Sequence, residues 1–375
     1  MTSKVYFADM RACDRESLLQ KLSRLVKCAG IENIKFKDQF TAIKIHLGEP
    51  GNIAYLRPNF SKVIADIIKA KGGKPFLTDA NTLYAGRRKN ALEHLDSAYE
   101  NGYNPFCTGC HVIIADGLKG TDEVFVPVAG GEYVKEAKIG RAIADADVII
   151  SLSHFKGHEN TGFGGAIKNI GMGSGSRAGK MEMHSDGKPH IVEKYCIGCG
   201  RCARVCAHSA ISFSDGKASI DQTKCVGCAR CITACPFDAP VPCWEGAKEL
   251  LCKKMAEYAK AVIDGKPNFH INLVIDVSPF CDCHASNDAH ITPDIGFFAS
   301  YDPVALDQAC ADAVASAPSL PNTFVDDRIH KTGAKEDHFC TMHPDTNWQS
   351  TLEHAEKIGM GSRKYELIKI PNIEA

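Results

Sequence analysis

The sequence predicts an α/β protein, a largely parallel sheet domain with a small α+β domain inserted into it. Three observations carry that expectation. Strand-like apolar runs alternate with amphipathic helical stretches, eight cysteines form two matching runs between Cys196 and Cys235, and the strand and helix rhythm resumes after them. The boundaries follow as 1–189 for the first part of the α/β domain, 190–240 for the insert and 241–375 for the second part.

The expected strands are VYFA (5–8), AIKIHL (42–47), PFLTDA (75–80), VIIAD (112–116), VFVPV (124–128) and VIISLSHF (148–155). Between them RESLLQKLSRLVKCAG, RPNFSKVIADIIKAKGG and RKNALEHLDSAYENG place apolar residues at helical spacing, with glycine at or near their ends. Past the insert come a helix near 244–263, strands HINLVIDV (270–277) and DIGFFAS (294–300), and a helix from Asp302-Pro303 onward. A module tethered at both ends is held in fixed orientation against its host.

Charge is balanced, 44 Lys and Arg against 45 Asp and Glu, which gives no basic tract for nucleic acid and no polybasic membrane anchor. No window approaches the roughly 18 apolar residues of a membrane span, and the N-terminus has no signal-peptide core. The expected address is the cytoplasm. There, 18 cysteines point to metal instead of disulfides, and to a host with little oxygen.

The two cysteine runs, CIGCGRCARVC (Cys196, Cys199, Cys202, Cys206) and CVGCARCITACP (Cys225, Cys228, Cys231, Cys235), repeat at an offset of 29 residues. Two-residue gaps let a tight loop, helped by Gly198 and Gly227, turn three thiolates toward three corners of one cubane, while the fourth cysteine ligates the other cluster. Two [4Fe-4S] clusters are therefore expected, one on Cys196, Cys199, Cys202 and Cys235, the other on Cys225, Cys228, Cys231 and Cys206. Zinc knuckles also use CxxC pairs, but eight cysteines at this doubled spacing fit zinc poorly. Ala207 stands where proline would close the first run, which costs a turn-setting residue but no ligand. AISFSDGKASID reads as a hairpin around Asp215-Gly216, and with it the insert resembles a bacterial ferredoxin.

Polar residues gather where strands end, the usual place for ligands in open parallel sheets. They include His46 after the second strand, Asp79 after the third, and Lys156 and His158 after the sixth. The stretch NTGFGGAIKNIGMGSGSRAGKMEMH (160–184) adds Lys168, Arg177, Lys180 and His184. Gly164 and Gly165 would let backbone amides, at the start of a helix, approach an anion. His46, Asp79, Lys156, His158, Lys168 and His184 are the expected catalytic set, and Gly164, Gly165, Arg177 and Lys180 the anion or cofactor contacts. A flexible loop is the alternative for this stretch.

Two cysteine pairs remain, Cys107/Cys110 followed by His111, and Cys281/Cys283 followed by His284. Haem attachment at CxxCH is rejected for want of an export signal. If the pairs meet in space they form a third metal site for zinc or an additional iron-sulfur cluster, with His284 or His111 as further ligand; the alternative is buried unliganded thiols. Cys13, Cys28, Cys243, Cys252, Cys310 and Cys340 lack metal spacing.

The strings KIHLGEPGN, TDANTLYAGRRKNALEHL, HFKGHENTGFGGAIKNIGMG, SRAGKMEMHS and CDCHASNDAHITPDIGFFASYDPVALDQA resemble the family known as the domain of unknown function numbered 362, often found with inserted ferredoxin modules. The resemblance runs to about residue 312 and implies an iron-sulfur protein of this architecture, without a reaction. Ser174 and His284 stand where the family often has cysteine, which leaves the third metal site open. The expected function is a cytoplasmic iron-sulfur oxidoreductase, partnered by a redox protein and a small anionic molecule. The alternatives are a non-enzymatic electron carrier and a protein that handles metal or cofactor.

Overall fold

The computed structural model of the chain describes residues 2–84, 86–185, 188–242, 248–333 and 337–373. Its main sheet holds β1 (Ser3–Asp9), β2 (Phe40–Lys44), β3 (Lys74–Asp79), β4 (His111–Ile114), β5 (Val148–His154), β6 (Asn268–Val274), β7 (Gly296–Ser300) and β8 (Tyr365–Lys369). They lie in the order β8-β1-β7-β6-β5-β2-β3-β4. Pairing is parallel except along β7, which runs against both β1 and β6. The chain steps outward from β2 through β3 to β4, then returns to set β5 on the other side of β2. That reversal opens a crevice beyond the carboxyl ends of β2 and β5.

Helices cover both faces. On one, α1 (Leu18–Cys28) and α2 (Pro58–Ala70) pack Leu22, Leu25, Ile64 and Ile68 on Ile43, Ile150 and Ile271. Helix α1 starts in a capping box between Ser17 and Gln20, and Pro58 opens α2 where its missing N–H costs nothing. On the other face, α4 (Ala166–Ser174), α6 (Lys248–Ile263) and α7 (Pro303–Ser316) cover Ala42, Ile149 and Phe298. Consecutive residues such as Ile149 and Ile150 thus face opposite cores, which is why β5 is a continuous apolar run. At Gly171 a Cβ would stand 2.2 Å from the Met255 carbonyl oxygen, so glycine lets α4 and α6 touch backbone to backbone. Helix α3 (Ala91–Glu100) flanks β4, α5 (Arg177–Ser185) follows α4, and α8 (Gln349–Lys357) packs on α6.

Two expectations change, and one strand takes a direction the sequence left open. The run at 124–128 forms Glu123–Pro127, but it pairs with Glu136–Gly140 in a separate ribbon. Its half-exposed side chains have no second apolar face to offer a covered sheet. The strand at 294–300 exists but runs antiparallel. The glycine-rich stretch is mainly the two helices α4 and α5, not a flexible loop.

Between α5 and α6 the chain leaves the sheet. Pro189–Ile191 on the way out pairs antiparallel with Pro240–Pro242 on the way back. Within lie a hairpin of Ile211–Ser214 and Lys217–Ile220, turning at the positive-φ pair Asp215 and Gly216, and short helices Arg201–Arg204 and Arg230–Ala234. Among the described residues no helix is long and apolar enough to cross a membrane.

One buried group makes the fold acid-sensitive. His270 on β6 has no exposed surface, bonds Ser151 Oγ and Asn268 Oδ1, and is held neutral by burial, its pKa pushed down to about 3. The unfolded chain therefore binds the extra proton between about pH 6.5 and 3, so stability rises with pH in that window and is lost as pH falls. Urea midpoints at pH 7 and pH 5 should show His270→Gln losing about 2 kcal/mol less than the parent over that interval.

Candidate functional site

The crevice beyond β2 and β5 is a cleft of about 450 Å³, within the size range of small-molecule sites. Each strand end contributes. Lys44 closes β2 and His46 follows it, Asp79 closes β3, and His154 closes β5, followed by Lys156 and His158. Helices α4 and α5 add Lys168, Lys180 and His184, with Gly164 and Gly165 in the wall. The whole expected catalytic set thus lines one cavity.

Most of the charge on its floor is paired. Lys44 Nζ lies 3.0 Å from Asp79 Oδ1 and donates to Asn169 Oδ1 at 2.9 Å. Arg88 binds Glu49 Oε2 at 2.7 Å and faces Asp79 Oδ2 at 3.6 Å. Burial alone would raise the Asp79 carboxyl, but the charges of Lys44 and Arg88 outweigh it and hold the pKa well below the carboxylate range. Asp282 accepts from His154 Nδ1 at 2.9 Å and pairs with Lys156 Nζ at 3.1 Å. Lys168 and Lys180 differ, since among the described residues neither has a carboxylate within ion-pair distance. Lys180 donates to the Gly175 carbonyl at 2.6 Å, and burial, only partly offset by Asp116, brings its pKa down to about 8. Lys168 Nζ lies 3.4 Å from Cys281 Sγ; burial opposes its charge, but the cysteines and Glu159 overcome that and raise its pKa.

Burial holds His46, His158 and His184 toward the neutral form. His158 Nδ1 accepts from the amides of Asn160 and Thr161 at 3.0 and 3.2 Å, which leaves the proton on Nε2. Burial brings its pKa down to about 4 and that of His184 to about 3. His46 Nδ1 likewise accepts from Gly48 N at 3.1 Å, so its Nε2 proton faces Cys283 Sγ at 3.4 Å. The wall ends in Cys283, and the Cys281 sulfur lies 3.1 Å behind it, fully buried.

Several expected contacts fall elsewhere. Arg177 has no exposed surface and donates to the backbone carbonyls of Thr82 and Lys89, so it bolts the loop after β3 to α5 and does not line the cleft. The start of α4 is not open to an anion, because Asp307 already accepts from the amides of Ala166 and Ile167 at 2.7 and 2.9 Å. The Cys107/Cys110 pair precedes β4, at the sheet edge opposite the cleft, with Cys107 exposed and Cys110 in the α1 and α2 core. The two cysteine pairs therefore do not meet. His284 turns from the cysteines to Glu159 Oε1 at 3.0 Å. Cys243 lies outside the described residues.

Sequence reasoning missed Lys44, Asp282 and Leu83. Lys44 is a lone cation inside an apolar run, and Asp282 sits between two cysteines. Leu83 lines the cleft and also packs in an apolar cluster with Cys196, Cys202, Cys231 and Cys235.

In residues 189–242 the eight cysteines line two small hollows. One is walled by Cys196, Cys199, Cys202 and Cys235, the other by Cys206, Cys225, Cys228 and Cys231. Four sulfurs facing one space, with positive φ at Gly198 and Gly227, suit a soft metal or iron-sulfur ligand set. Elsewhere, Asp276, His290 and Asp294 offer ligand atoms within 4.8 Å of one another. Asp276 there is already paired with Arg57 at 2.9 Å.

Known proteins add the following. A thylakoid-associated protein of Synechocystis sp. is 25% identical over 192 residues, 48% of this chain, and the match spans 53% of that protein's length. The lactate racemase apoprotein of Thermoanaerobacterium thermosaccharolyticum aligns at TM-score 0.43 and 11% identity, over 84% of this chain and 58% of that one. A Thermotoga maritima protein aligns at 0.38 and 12%, over 94% and 86%. A family model matches residues 41–312, well over half of the sequence, and the chain belongs to that family, Domain of unknown function (DUF362).

Proposed function

We propose that this chain is an iron-sulfur oxidoreductase in which residues 190–240 form an inserted ferredoxin-like module and the α/β cleft takes a small anionic substrate. The observation that carries the reading is Leu83, one side chain shared by the cleft wall and the packing around the cysteine hollows. Cys196, Cys199, Cys202 and Cys235 would hold one [4Fe-4S] cluster, and Cys206, Cys225, Cys228 and Cys231 the other. Such clusters, when bound, exchange electrons one at a time.

The chain's own residues do the rest. Lys168 and Lys180 attract the anion, the neutral Nε2–H of His158 donates to it, and the neutral ring of His184 adds a further hydrogen-bonding group beside it. Ile197 and Val226, equivalent positions in the two cysteine runs, are 62% and 54% exposed. These apolar tips fit the docking of a redox partner protein, the feature that also favours the alternative of an electron carrier. In a host whose thiols stay reduced the cytoplasm is the fitting address.

Anaerobic stopped-flow mixing of the reduced protein with small carboxylates and phosphates separates the two. The oxidoreductase reading expects cluster reoxidation that Lys168→Ala slows about tenfold or more with the iron content unchanged, the scale of one lost charged hydrogen bond. A carrier would pass electrons to its partner equally well with or without Lys168.

A further inference from the structure

We propose that Cys281 and Cys283 are a redox-active dithiol that reduces a small anionic disulfide held in the cleft. This deepens the reading of the cleft as an anion site and rests on it. Cys281 has no exposed surface, whereas Cys283 is half-buried and lines the cavity. Their sulfurs lie 3.1 Å apart and share a hydrogen bond, so one proton can pass between them. Cys281 Sγ also accepts from Lys168 Nζ at 3.4 Å, the surroundings of a thiolate. A disulfide needs the sulfurs to close to about 2.05 Å. Asp282 between them is clamped by His154 and Lys156, which holds both neighbours toward the same space.

The same contacts speak against a cation here. An ammonium already sits beside Cys281, and His46 presents a protonated Nε2 to Cys283 where a ligand would present a lone pair. Among the described residues no third His, Cys, Asp or Glu atom joins these two sulfurs at metal-ligand span.

The reaction balances without another reagent. Cys283 sulfur attacks one sulfur of R–S–S–R′ while its proton passes to Cys281 Sγ; the S–S bond breaks and R′S⁻ departs beside Lys168. Cys281 sulfur then attacks Cys283 Sγ and gives its proton to the second leaving group, so RSH departs. One disulfide is reduced to a thiol and a thiolate, and the pair is oxidised by two electrons to a Cys281–Cys283 disulfide.

The test treats the full-length protein, prepared anaerobically, with oxidised glutathione or 5,5′-dithiobis(2-nitrobenzoate), both anionic, and with cationic cystamine. Remaining thiols are alkylated and the peptide spanning 281–283 is weighed. The expected result is loss of two hydrogens from that peptide, about tenfold or more faster with the anionic disulfides than with cystamine. Cys281→Ser should stop at a mixed disulfide on Cys283, and Cys283→Ser should form neither product. The proposal is overturned if the peptide stays doubly alkylated with every probe, if cystamine reacts as fast, or if the two thiols retain stoichiometric zinc. Iron measured on the same samples keeps the two readings apart. An inert dithiol beside eight irons sinks this proposal alone, and a cycling dithiol in protein that never binds iron sinks the cluster reading alone.

Discussion

Cys235→Ala is expected to lower the iron content of anaerobically prepared protein from about eight atoms to about four, and to remove the same cluster signal as Cys199→Ala. Cys235 belongs to the second run in sequence but faces the hollow of Cys196, Cys199 and Cys202. Cys206→Ala should conversely match Cys228→Ala, since Cys206 faces the other hollow. Iron analysis with low-temperature spin resonance of the reduced forms reads both. If Cys235→Ala instead copied Cys228→Ala, each run would serve its own cluster and the crossed assignment would fail.

Asp79→Ala should destabilise the protein by about 3–5 kcal/mol, because it strips the carboxylate from buried cations and leaves their charge uncompensated. Asp79 is 3% exposed, Lys44 1% and Arg88 1%. Lys44 has only the amide oxygen of Asn169 and the carbonyl of Ile45 to turn to. Urea unfolding under argon measures the loss. A companion Lys44→Met, Asp79→Leu double variant separates the mechanisms, since it should recover much of the stability if the cost is unpaired charge and little if it is lost packing.

What was legible in the sequence depended on whether spacing alone determines position. The eight cysteines have local spacing that leaves few geometries, and the hollows group them as the two-run pattern expects. Polar residues directly after apolar runs were readable too, because parallel strands deliver their carboxyl ends to one side. Long-range pairing was not. Nothing in YELIK marks β8 as the partner of β1, since none of its side chains is buried and the segment shows no regular alternation, as suits an edge strand. Arg177 looks like an anion contact until the loop after β3 folds over it and supplies carbonyls. Gly165 looks like an open amide site until Asp307, 142 residues away, closes it; a Cβ there would lie 2.3 Å from Asp307 Oδ1. Cys107 and Cys281 sit in similar short motifs, yet one precedes a strand and the other follows one, which sends them to opposite ends of the strands.

The ribbon of Pro189–Ile191 against Pro240–Pro242 has an evolutionary consequence. Because His190 faces Val241 across it, the chain departs from and rejoins the host at a single point, and excising everything between would leave two ends already adjacent. A lineage could gain or lose the cysteine-rich cassette by one recombination event without re-threading the eight-stranded sheet. Related chains of the same fold with a short turn in its place would then be expected to keep the cleft.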